Sequence, residues 1–225
     1  MTYSIIQAIT NNYDQVYDCH DATAQDRILF TDQKQSVKNW TQRLIPCNNK
    51  YPWDDIFRIR WNPFEFVNSD YAIWIDGSIR ITGSLKKYID MMEYGQYDFA
   101  TLQHPWRSNI FEEYAEWISI RNYPMTKAFC WMAFMEKTGW HPETPGLYQV
   151  NVCIFKNSPI VKEFAHHVWA MLHLFDKDHA ERLDQTVATY VLKHIYGNYI
   201  NVMPLSDKMY LDDNALKWHG IHPNH

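Results

Sequence analysis

The chain has 225 residues, 46% hydrophobic and 21% charged, which excludes a disordered protein and suffices for one sizeable core, read as a single domain over residues 1–225. A net charge of −5 with no run of Lys or Arg argues against a nucleic-acid partner. No apolar run approaches the ~18 residues of a membrane span, the N-terminus carries no signal-peptide pattern, and Cys19, Cys47, Cys130 and Cys153 form no CxxC pair, so a soluble, cytoplasmic protein without a transmembrane segment is expected.

In chain order, Tyr3–Ile9 reads as a buried first strand and ends in the polar turn Thr10-Asn11-Asn12-Tyr13-Asp14. Arg27–Phe30 is a second strand ending at Thr31-Asp32. Ile56–Ile59 is ambiguous, either a helix stopped by Pro63 or an edge strand. Tyr71–Ile75 is the central strand and runs directly into Asp76-Gly77-Ser78; Gly83-Ser84 then starts a helix to about Met92, with Ser84 as N-cap. Phe99–Leu102 is a strand followed by His104-Pro105-Trp106-Arg107. Asn109 and Glu112 form a capping-box pattern opening a helix to about Ile120. Helices are also predicted over Thr126–Lys137, from Pro159, and over Asp184–Ile195 up to Gly197; strands are predicted at Leu147–Phe155 and Asn201–Met203. The tail from Trp218 to His225 reads as irregular. Strands alternating with helices give an α/β class with a mostly parallel sheet.

Asp76 is the residue around which chemistry is expected. A carboxylate directly after Ile-Trp-Ile is hard to bury unless paired or coordinated. It also lies at the C-terminal end of a strand, where open α/β sheets bind ligands. In a parallel sheet the turn Thr10–Asp14 and Thr31-Asp32 share that edge, which could cradle a nucleotide, with Asp32 accepting from the base and Tyr13 stacking on it. Arg58 and Arg60 share a face only in a strand; one of them could neutralise a diphosphate. His104 and Arg107 could reach a bound sugar or phosphate. Asp184 could hold sugar hydroxyls or simply favour the helix dipole. His219 and His222, in an irregular segment, could reach back to a metal. No GxGxxG or GxxxxGK[ST] occurs, so neither a dinucleotide fingerprint nor a P-loop is present.

Taken in order, these segments resemble the nucleotide-sugar glycosyltransferases of the GT-A fold. Asp76 to Leu85 after the strand Tyr71–Ile75 resembles the DxD segment of family-8-type glycosyltransferases. Val150-Asn151-Val152-Cys153-Ile154-Phe155 resembles their Asn-containing strand, Asp184-Gln185 their late Asp-Gln motif, and Trp218-His219-Gly220 their terminal metal-binding His. Phe30-Thr31-Asp32 and Tyr71-Ala72-Ile73-Trp74-Ile75-Asp76-Gly77 are similar to segments of the glycosyltransferase-like family DUF616. The resemblance implies a GT-A-like (Rossmann-like) mixed, mostly parallel sheet flanked by helices. It implies an enzyme moving a sugar from a nucleotide-diphosphate donor, a UDP-sugar favoured, to a hydroxyl of a glycan or glycoconjugate acceptor. It further implies a divalent cation, Mn²⁺ or Mg²⁺, held by Asp76 with Ser78 and His219 or His222. Thr10, Asn12, Tyr13 and Asp32 would hold the nucleoside, Arg58 or Arg60 the phosphates beside Gly77, and Asp184 and Gln185 the reacting sugar, with His104 and Arg107 nearby. Ser78 stands where the family has its second Asp. If transfer inverts, Asp184, Glu112 or Glu113 must act as base; the Asp-Gln pair tilts the reading towards retention. The rivals are a glycoside hydrolase built on two carboxylates and a non-catalytic carbohydrate-binding module.

Overall fold

The computed structural model describes residues 1–47, 51–206 and 215–218. Its centre is a seven-stranded sheet built from β1 (Tyr3–Ile9), β2 (Asp26–Thr31), β3 (Thr41–Leu44), β4 (Tyr71–Ile75), β6 (Phe99–Gln103), β7 (Tyr148–Lys156) and β8 (Val202–Leu205), in the order β3-β2-β1-β4-β7-β6-β8. Only β7 runs against the others, so the sheet is mixed and mostly parallel, as the alternation of strands and helices predicts. A second, two-stranded sheet pairs β5 (Ile79–Ile81) with β9 (Leu216–Trp218).

The central strands are apolar at nearly every position because both faces are covered. In β4, Ala72 and Trp74 enter one apolar cluster while Tyr71, Ile73 and Ile75 enter the other. The first cluster is closed by α1 (Trp53–Trp61), α3 (Ile110–Arg121), α4 (Met125–Lys137), α5 (Pro159–Leu172) and α6 (Asp184–Tyr190). Its bulk comes from fully buried rings such as Trp61, Trp131 and Phe164, each of which stabilises the fold by about 2–3 kcal/mol relative to exposure. The second cluster is closed by α2 (Lys86–Tyr94) and the small sheet.

Several predicted boundaries change. The ambiguous stretch around Ile56–Ile59 is helical, inside α1, and gives way to a short 3₁₀ turn at Pro63–Glu65. Ser84 is not the N-cap of α2; Leu85 takes that place, although Ser84 Oγ still accepts from the Lys86 N–H at 3.2 Å. Asn109 does cap α3, its Oδ1 accepting the Glu112 N–H at 2.8 Å. The helix predicted to Ile195 leaves α geometry after Tyr190 and ends in a π turn over Val191–Ile195. β3 has no apolar alternation and escapes the sequence reading because it is an exposed edge. The start of the tail is not irregular, since Trp218 belongs to β9.

The topology contains a switch point. From β1 the chain builds outward through β2 and β3, then crosses by α1 to β4 on the other flank of β1. The order reverses between β1 and β4, and open α/β sheets form their ligand crevice outside the carboxyl ends of the strands at such a point. Those ends are Thr10 and Asp76.

Candidate active site

Asp76 begins a tight turn. Its carbonyl accepts from the Ile79 N–H at 3.0 Å and from Gln7 Nε2 at 3.0 Å, and its own N–H donates to the Asn151 carbonyl at 2.8 Å. Gln7, buried in β1, also donates to the Ile79 carbonyl at 3.0 Å, so one side chain staples both ends of the turn. Gly77 is required by close approach: a Cβ there would come within 2.8 Å of Asp14 Oδ2 and of Ile9. The facing turn after β1 uses left-handed backbone at Asn11 and Asn12, a conformation Asn tolerates better than most residues. Asp32 Oδ2 secures this turn by accepting the Asn11 N–H at 3.0 Å.

The Asp76 side chain lies on the same strand face as Trp74, two residues earlier, and Trp74 Nε1 donates to its Oδ1 at 2.8 Å. The buried Arg60, from α1, donates to the same oxygen through Nη2. Arg60 Nη1 donates to Asp184 Oδ2 at 2.5 Å, and Trp61 Nε1 adds a bond to that oxygen at 3.1 Å. The guanidinium carbon stands over the Trp74 ring at 4.8 Å and the Phe57 ring at 5.2 Å. Two carboxylates thus share one always-charged arginine, which leaves this floor one negative charge in excess. Burial pushes the Asp76 and Asp184 carboxyls up, against the pull of Arg60, and Asp14 adds a further upward push on Asp76.

This floor opens into a cavity of about 540 Å³, the size range of small-molecule sites. Thr10, Tyr13, Arg60, Asp76, Gly77, Ser78, Asp184 and Gln185, all singled out from the sequence, line it. So does Asn151, which is 6% exposed; among the described residues neither polar atom of its amide has a hydrogen-bond partner, and the buried Thr10 Oγ1 has none either. Buried polar groups are normally paired; here four such atoms, Arg60 Nε included, belong to residues lining the same void.

The other predicted residues go elsewhere. Arg58, two positions from Arg60 on a helix and therefore on another face, is exposed and pairs with Glu65 at 3.3 Å. Asn12 and Asp32 do not line the cavity; they hold the turn, Asn12 by accepting from Gln33. His104 and Arg107 line a separate groove. Arg107 donates to Glu113, which is fully buried and also accepts from Trp117 Nε1 at 2.7 Å and from Gln185 Nε2. The pair therefore stands behind the cavity wall. Glu112 binds the Ser108 N–H at 2.7 Å at the start of α3. His219 and His222 lie outside the described residues.

Sequence reasoning missed the aromatic wall. Trp53 and Trp117 line the cavity, and Arg182 stands over both rings, at 5.4 and 4.9 Å. Nothing in the spacing of these three residues marks them; the only available signal was that Arg182 lies two residues before Asp184.

For a divalent cation, both described bonds to Asp76 fall on Oδ1, so Oδ2 is the oxygen left to face an ion. Ser78 lines the same cavity, and the Asp14 carboxylate lies against Gly77. Among the described residues no three His, Cys, Asp or Glu side chains gather as a metal shell. Hard oxygen donors without a full protein cage suit Mg²⁺, which is commonly bound by one or two carboxylates together with substrate phosphates.

Fold and site together define an α/β protein with a cavity of about 540 Å³ at the switch point of its sheet. No family model matches the chain, and no curated protein matches it. Among solved structures it is similar to the crystal structure of the glycosyltransferase GlyE in Streptococcus pneumoniae TIGR4, with a TM-score of 0.49 and 11% identity. That match covers 93% of this chain and 46% of the other, so this chain spans less than half the length of the structure it resembles. Among the described residues no helix is long and apolar enough to cross a membrane.

Proposed function

We propose that this protein is a glycosyltransferase that moves a sugar from a nucleotide-diphosphate donor, a UDP-sugar favoured, to a hydroxyl of a glycan or glycoconjugate acceptor. The observation that carries this reading is the shared cavity. Four segments that resemble glycosyltransferase motifs or nucleoside-binding turns are far apart in sequence, yet Thr10, Asp76, Asn151 and Gln185 line one void. Thr10 and Tyr13 are suited to the nucleoside, and Asn151 and Gln185 offer amides to sugar hydroxyls. Asp76 and Ser78 would hold Mn²⁺ or Mg²⁺, which when bound would offset the negative charge of the diphosphate.

The three carboxylates singled out from the sequence as candidate bases support the retaining reading. Asp184 is bonded to Arg60 and Trp61, Glu112 is engaged at the start of α3, and Glu113 sits behind the wall. None of these three candidate bases stands unengaged in the cavity, and a front-side mechanism that leans on the leaving phosphate needs none.

Thermal unfolding with UDP, GDP or TDP, each with Mn²⁺ or with EDTA, tests the reading. A nucleotide at about 100 times its Kd adds about 2.7 kcal/mol, which raises Tm by about 5–10 °C in a chain of this size. One nucleotide should give that shift and the others less. Absence of a shift with every nucleotide would overturn the transferase reading and return attention to glycan binding or hydrolysis.

A further inference from the structure

We propose that Arg182 is an anion clamp, receiving the phosphates of the donor through a guanidinium held against two tryptophans. This rests on the transferase reading for the identity of the ligand, but the anion site itself is argued from the geometry alone.

The first argument is elimination among cations. Of the described basic side chains, Arg60 and Arg182 line the cavity. The charge of Arg60 is engaged by Asp76 and Asp184 through Nη2 and Nη1. Arg182 forms no ion pair and no hydrogen bond with any described residue, although it is an arginine at the mouth of a cavity whose floor is acidic.

The second argument is preorganisation. A guanidinium held over aromatic faces by cation–π attraction leaves its N–H groups available, and such a fork matches a phosphate edge bidentately. Both indoles are pinned. Trp117 Nε1 donates to Glu113 at 2.7 Å, and Trp53 Nε1 donates to the Ala180 carbonyl at 3.2 Å. The backbone on either side of Arg182 is fixed too. Glu181, 1% exposed, accepts from Tyr123 at 2.7 Å and Trp131 at 2.9 Å, and its N–H donates to the Leu172 carbonyl at 2.7 Å. Leu183 is buried on the other side. An exposed, charged side chain is thus carried on a rigid base, so little ordering remains to be done on binding. Arg121 also stands over the Trp117 ring, at 5.6 Å, and adds positive potential nearby.

The test is isothermal titration of the full chain and of Arg182→Gln and Arg182→Lys with inorganic pyrophosphate, UDP and uridine. Arg182 is exposed, so both variants should keep the wild-type Tm, which is checked first. Charge-assisted hydrogen bonds of this kind predict a loss of about tenfold or more for pyrophosphate and UDP in Arg182→Gln. Uridine affinity should not change, and Arg182→Lys should recover only part of the loss. Equal UDP and pyrophosphate affinity in wild type and Arg182→Gln would overturn the clamp while leaving the transferase reading in place. Arg182-dependent pyrophosphate binding with no added affinity for UDP would support the clamp and count against the nucleotide donor. No binding of either anion to the wild type would overturn the clamp.

Discussion

Arg60 Nη1 donates to Asp184 Oδ2 at 2.5 Å, joining residues 124 positions apart, and the same guanidinium reaches Asp76. Helix α1, the end of β4 and the start of α6 are therefore tied at one buried cation. Arg60→Met removes that cation and leaves the buried Asp184 carboxylate and the partly exposed Asp76 carboxylate without it. The expected cost is about 3–5 kcal/mol, or about 6–20 °C in Tm. Adding Asp184→Asn to Arg60→Met should regain part of the loss, because one uncompensated charge is then gone. Calorimetric unfolding of the single and double variants checks this; an Arg60→Met protein as stable as wild type would refute the role given to the bridge.

Asn151 offers a test of a site kept at the expense of stability. Its amide is buried, lines the cavity and has no partner among the described residues, so in the unliganded protein it carries a desolvation cost of about 1–3 kcal/mol. Asn151→Leu, nearly the same shape, should hold or raise Tm by up to about 1 kcal/mol equivalent, yet weaken nucleotide-sugar binding by about tenfold. Denaturant unfolding and titration are read together. A destabilised protein with unchanged affinity would contradict this account.

Acid should weaken the fold through His104. Burial lowers its pKa to about 4, and the positive charge of Arg107 acts in the same direction. The Arg107 backbone N–H donates to Nδ1 at 3.0 Å, so the neutral ring carries its proton on Nε2, which lies 2.8 Å from Arg107 Nη2 and 3.9 Å from Glu113 Oε2. A histidine depressed in the folded state stays neutral there while the unfolded chain takes up a proton. Its contribution is therefore complete above the unfolded value of 6.5 and is lost as pH falls towards about 4. The loss is on the order of 2–3 kcal/mol. His104→Gln should flatten the pH dependence of stability between those values, as measured by urea midpoints at steps of pH.

Glu113 should matter to the site although it never meets the cavity. It accepts from Arg107, Trp117 and Gln185, so it holds one wall ring and one wall amide at once. Glu113→Gln replaces a charged acceptor with a neutral one and should cost about 2–3 kcal/mol. It should also weaken UDP binding several-fold through Gln185 and Trp117. Gln185→Ala, which leaves Arg107 and Trp117 bonded, should lower UDP-sugar binding with a much smaller change in Tm. If the two variants lose stability equally, the division of roles is wrong.

The path from sequence to site was legible in some places for identifiable reasons. Tyr71–Ile75 is an unbroken apolar run because β4 is buried on both faces, and the acid that follows could only be one that the fold pairs. Asn109 and Glu112 marked the start of α3 because capping is a local interaction. Arg58 and Arg60 could not be separated until Ile56–Ile59 was known to be helical; once it was, the 3.6-residue period sent one inward and the other to solvent. His104 and Arg107 had the right chemistry and followed a strand, but β6 lies two strands away from β4 across β7, so they open onto a different groove.

The sequence by itself determined the class of fold, the central strand and the acid at its end, because periodicity, caps and strand-end chemistry involve neighbours within a few residues. The tertiary structure alone decided which arginine neutralises Asp76, that Glu113 stands behind Gln185, and that Trp53, Trp117 and Arg182 form one wall. Each of these depends on side chains from different elements arriving at the same point. That arrival is set by the order of strands in the sheet and the packing of helices across it, neither of which is encoded in any one local stretch.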